Sequence, residues 1–70
     1  MTSFVLTYNR TLGTLGTLKE FPSREKAIRE RVKLEREKND EKIEVVSISA
    51  VSLEALKKSH SRYFIQNQVA

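Results

Sequence analysis

The chain has 70 residues and a mass of 8.1 kDa, with thirteen Lys and Arg against nine acids and no cysteine. That length allows one small domain, and the absence of cysteine excludes disulfide staples and thiolate zinc sites. Hydrophobic content of 39% excludes a disordered chain, and no run approaches the ~20 apolar residues of a membrane span.

Phe4, Leu6 and Tyr8 alternate with Val5 and Thr7, the period of a strand with one buried face. Asn9 to Gly13 reads as a turn, in which Asn9 bonds the backbone ahead of it and Gly13 takes a positive φ. A second strand is predicted over 14–21. Leu15, Thr17, Lys19 and Phe21 would share one face, with a bulge at Gly16. Thr-Leu-Gly recurs every three residues from Thr11, a period that fits neither strand nor helix, and no lysine follows to make a phosphate loop.

Pro22-Ser23 punctuates the chain, and Ser23 is suited to cap a helix over 24–38. Ala27, Ile28, Val32 and Leu34 fall within about 160° of arc, at 100° per residue. Arg24, Arg31 and Glu35 lie inside the same arc. Arg31 and Glu35 therefore either snorkel at the sheet edge or form a partly buried ion pair. Asn39 is placed for a left-handed cap.

Residues 43–50 form the clearest strand, apolar on both faces, which suggests a central strand or one covered by a partner. Ser52 caps a second helix, with Val51 and Leu56 at the two staple positions. Leu53, Leu56, His60, Tyr63 and Phe64 make one helical stripe, so the helix is expected to reach about Phe64 unless 63–65 forms a short strand. Residues 65–70 read as a flexible tail on a single domain of 1–64.

The order is strand, strand, helix, strand, helix. A right-handed crossover from the second strand would place the third beside the first. The expected fold is α+β, ββαβα, a three-stranded antiparallel-type sheet of order 2-1-3 with both helices on one face. The other face would then expose Val5, Leu12, Leu18 and Val45 as an apolar patch for a partner or a second copy.

Little in the chain points to catalysis. His60 is the only histidine, and Ser59, His60 and Ser61 are consecutive, so at helical spacing they diverge rather than form a relay. No metal, cofactor or catalytic residue is assigned, and the chain reads as a non-enzyme. The basic balance bears on binding. Residues 24–38 hold seven basic and four acidic residues. Lys57, Lys58 and Arg62 add a second basic group, opposed only by Glu54. Such residues contact phosphates in nucleic-acid binders, but charges alternating in sign along a helix are typical of a solvated face.

Tyr8-Asn9-Arg10, Gly13-Thr14-Leu15, the segment 31–36 and Ser59-His60-Ser61-Arg62-Tyr63-Phe64 together resemble short uncharacterised proteins of high-GC Gram-positive bacteria. Those have a Tyr-Asp-Arg turn with a glycine, a charged helix, a valine-rich strand and a His-x-Arg-Tyr-Phe close. Here Asn9 stands for the acid, and the chain continues from Ile65. The resemblance implies the ββαβα order and a cytoplasmic protein, and it transfers no site.

Exposed arginine and aromatic side chains are the usual anchors of interfaces, which makes Arg10, Arg31, His60, Arg62 and Tyr63 the candidate interaction residues. Tyr8 and Phe64 read as core. Burial on folding, about 110 kcal/mol at ~25 cal/mol per Å² of apolar surface, nearly cancels about 105 kcal/mol of conformational entropy. A margin that thin favours self-association. The expected function is a non-catalytic, self-associating module that binds a protein partner. The alternative is a weakly specific DNA- or RNA-binding accessory protein using Lys57, Lys58, Arg62 and the basic residues of 24–38. No membrane association is expected.

Overall fold

The computed structural model describes residues 1–65. Strands β1 (Thr2–Asn9), β2 (Thr14–Phe21) and β3 (Ile43–Ala50) alternate with helices α1 (Arg24–Glu37) and α2 (Leu53–Ser59), and a 3-10 turn follows at Ser61–Tyr63. The sheet order is β2-β1-β3, with both pairings antiparallel. The fold is α+β. Because β2 and β3 both oppose β1, they run parallel to each other, and α1 is the crossover that such an arrangement needs.

The hairpin is built from local chemistry. Asn9 Oδ1 accepts hydrogen bonds from the backbone N–H of Thr11 at 3.0 Å and of Leu12 at 2.8 Å. Gly13 closes the turn with φ 67°, where a Cβ would be strained. A bulge follows, as register shifts between Leu6 and Tyr8 against β2. Thr7 Oγ1 fills it, accepting from Thr17 N–H at 2.8 Å and meeting Thr17 Oγ1 at 3.0 Å. The extra residue moves Leu15 opposite Tyr8, onto the face of Leu18, and so separates it from Thr17, Lys19 and Phe21.

Both helices start at serine caps. Ser23 Oγ accepts from Lys26 N–H at 3.2 Å, and Ser52 Oγ accepts from Ala55 N–H at 3.1 Å. The exits differ from expectation. Helix α1 ends on an extended Lys38 rather than a left-handed Asn39, and no non-glycine residue among those described has positive φ. Lys38 Nζ donates instead to the carbonyl of Ile43 at 2.9 Å, closing the loop into β3. Helix α2 stops at Ser59, and Tyr63 lies in the 3-10 turn, neither in a helix reaching Phe64 nor in a strand. The 3-10 turn leaves Tyr63 buried, at 5% exposure. Val51 is 69% exposed, so it makes no staple with the buried Leu56.

The two helices cover opposite faces of the sheet. Phe4, Ala50 and Leu56 form one buried cluster, joined by Leu18, Ile48, Leu53 and Phe64. Val5, Ala27 and Val45 form the other, joined by Phe21 and Leu34. Phe4 and Val5 are consecutive on β1 and point to opposite sides. Helix α2 therefore sits on the Phe4 face and α1 on the Val5 face, and the expected one-sided arrangement is corrected. The physical reason lies in β1 itself. It is the central strand, and its run Phe4-Val5-Leu6 is fully buried, which requires cover on both faces. Val5 and Val45 are thus core, Leu18 packs against the first cluster, and of the expected exposed patch only Leu12 is exposed.

Of the expected tail at 65–70, residues 66–70 lie outside the described residues, and Ile65 is exposed. Among the described residues no helix is long and apolar enough to cross a membrane.

Candidate interaction surface

Three of the candidate residues come together on the α2 side. The Tyr63 hydroxyl donates to Glu44 Oε2 at 2.9 Å and accepts from Arg62 at 2.7 Å, while Arg62 also reaches Glu44 at 3.3 Å. The Tyr63 ring meets Tyr8 edge-on at 5.1 Å between centroids and lies under the Arg62 guanidinium at 4.5 Å. His60 stacks on it from 6.4 Å. Tyr8 and Glu44 are neighbours across β1 and β3, so this cluster fastens the 3-10 turn to the sheet. The Tyr63 hydroxyl raises the Arg62 pKa above its ordinary value by hydrogen bond and by charge, which together with smaller contributions from Glu44 and Tyr8 exceeds the lowering by burial. Tyr63 is a buried anchor of the fold, not an exposed contact.

Arg10 is exposed and tied elsewhere. Its side chain donates to the Glu41 carbonyl, and its N–H donates to the Lys42 carbonyl at 2.8 Å. Of the basic group at α2, Lys57 Nζ lies over the Phe64 ring at 5.9 Å, Lys58 is exposed, and Arg62 is engaged as above. Ser59 and His60 do meet, contrary to the expectation that they diverge: Ser59 Oγ lies 2.8 Å from His60 Nδ1. The helix ends at this point and His60 takes φ −128° and ψ 48°, so the 100° step no longer applies. No carboxylate among the described residues is hydrogen-bonded to the ring, and no three His, Cys, Asp or Glu side chains group as a metal site.

Arg31 belongs to a different place. Glu35 pairs with Lys38 at 3.6 Å, so the Arg31–Glu35 ion pair does not form, and Arg31 is exposed at the sheet edge. There it lines a groove of about 500 Å³ between α1 and β3, together with Arg24, Ile28, Val45, Ser47 and Ser49. Arg24, Ile28 and Arg31 follow an i, i+4, i+7 stripe, which is one face of the helix. Sequence reasoning picked Arg31, counted Arg24 only among the basic residues of 24–38, and missed Ser47 and Ser49. The available signal was the two arginines inside the apolar arc. Among the described residues neither Arg24 nor Arg31 has an ion pair or a side-chain hydrogen bond.

Among the described residues the groove runs beside an unpaired strand edge, whose polar groups follow from the register. Arg10 N–H bonds the Lys42 carbonyl, directly opposite it, which marks a hydrogen-bonded pair. Such pairs alternate along an antiparallel ladder. Glu44, Val46 and Ile48 therefore bond β1, while Val45, Ser47 and Ser49 aim their N–H and C=O groups away from it. These are the same three strand residues whose side chains line the groove, together with one neighbour, Val46. The two sheet edges differ in protection. Strand β2 carries the bulge, Lys19 and Glu20, devices that blunt an edge. From Val45 to Ala50, β3 has no charge, no proline and an unbroken register with β1.

No family model matches the chain, nor does any curated protein or solved structure.

Proposed function

We propose that the protein is a non-catalytic interaction module that takes an extended strand of a protein partner onto the edge of β3. The observation carrying this reading is the outward set of backbone groups on Val45, Ser47 and Ser49, flanked by the α1 groove. Strand addition supplies affinity through such groups and specificity through alternate side chains. An edge lacking charge and bulge is one that a sheet protein normally protects or uses. The nucleic-acid alternative draws less support, because Arg62 is already held by Glu44 and Tyr63, and Lys19, Arg29 and Lys38 are each paired with a glutamate.

The test is selection of peptides from an unbiased display library, with the bound state mapped on backbone amides. Binders are expected to shift and protect β3 amides. Ser47→Pro removes an outward N–H without removing a bond to β1, so this variant should keep its fold and lose the binders. Binders that map to β2 or to Lys57, Lys58 and Arg62, or that survive Ser47→Pro, would contradict the reading.

A further inference from the structure

Resting on that reading, we infer that the strand received by β3 is an acidic one, with two carboxylates four residues apart on the side facing α1, and that it is not a second copy of this chain. A strand added antiparallel to β3 would place its residues opposite Val45, Ser47 and Ser49 in hydrogen-bonded pairs. Directly paired residues point to the same face, so those three partner side chains would project toward α1. What meets them there is the stripe Arg24, Ile28 and Arg31.

The order along the groove follows from the fold. Phe21 and Ser49 both pair with Ser3, on its two sides, so α1 starts at the Ser49 end of β3. At the other end Lys38 bonds the Ile43 carbonyl. Helix α1 therefore runs opposite to β3, with Arg24 near Ser49 and Arg31 toward Val45. Seven residues of helix separate the two guanidinium-bearing positions by about 10 Å along the axis. Four residues of strand, from Val45 to Ser49, span about 13 Å. Flexible arginine side chains bridge that difference. The partner pattern is an acid opposite Val45, a small or apolar residue opposite Ser47 and beneath Ile28, and an acid opposite Ser49.

A second copy fits poorly for the same reason. Two β3 strands paired about a two-fold axis would join their grooves on one face of the sheet. Among the described residues the joined groove would hold both copies of Arg24 and Arg31, with serine, valine and isoleucine as the other lining residues. Four guanidinium groups and no carboxylate make that pairing repulsive, whereas an acidic strand neutralises the groove.

The experiment titrates the labelled protein with three peptides of extended sequence that differ only at the two helix-facing ends, Glu, Gln or Lys, while sedimentation velocity follows the protein alone. The Glu peptide should protect the amides of Val45, Ser47 and Ser49 and bind about tenfold more tightly than the Gln peptide, with the Lys peptide weakest. The double variant Arg24→Gln and Arg31→Gln, at exposed positions, should remove that preference and leave β3 pairing in place. Equal protection by all three peptides, or a dimer joined through β3, would overturn the acidic partner and leave strand addition standing. No protection of β3 by any peptide, with the protein monomeric, would overturn both.

Discussion

At the residue scale, single atoms decide local shape. A Cβ on Gly16 would stand 2.5 Å from Thr7 Oγ1, a hydroxyl already committed to both the N–H and the Oγ1 of Thr17. Gly16→Ala should therefore cost about 1–3 kcal/mol, read from the denaturation midpoint. In a Thr7→Ala background the added cost should shrink, and equal costs in both backgrounds would show that the hydroxyl is not the obstacle. Tyr63→Phe keeps the ring against Tyr8 and removes the hydroxyl shared by Arg62 and Glu44. A loss of about 1–2 kcal/mol is expected, with the edge-on contact to Tyr8 retained in aromatic proton shifts. The hairpin turn, the bulge and both serine caps were legible in the sequence because they depend on neighbours within a few residues. The Ser59–His60 contact was not, because it arises only where the helix stops.

At the element scale, short helices depend on their caps and on one or two buried side chains. Helix α2 has seven residues, a Ser52 cap and a single fully buried leucine. Ser52→Ala should cost about 1 kcal/mol and Leu56→Ala about 2–5 kcal/mol. Amide exchange should show the first change confined to α2 and its 3-10 turn. Exchange speeding up equally over the whole sheet would mean that α2 does not open on its own. The five main elements and the strand order could be read from periodicity and punctuation. Which face each helix covers could not. Helical stripes on α1 and α2 show that each helix has a buried side, and only the apolar run Phe4-Val5-Leu6 hints that both faces of β1 need cover. The same ambiguity put Val5 and Val45 on an open face, whereas α1 covers both.

At the scale of the whole molecule, the two helices leave the β3 edge without protection among the described residues. Arg31 stood out in the sequence as a cation among apolar positions, but its meaning required β3 at the sheet edge and α1 running opposite to it. Of the others chosen for their chemistry, Arg10 bonds the Glu41 carbonyl, Arg62 and Tyr63 bond Glu44, and His60 stacks on Tyr63. The central claim is that β3 presents Val45, Ser47 and Ser49 outward. Its most direct measurement is amide hydrogen exchange at single-residue resolution, at a concentration where sedimentation finds monomer. Fast exchange at Val45, Ser47 and Ser49, alternating with protection at Val46 and Ile48, is the predicted result. Uniform protection along β3 in the monomer would mean that the edge is already covered, and would contradict the account.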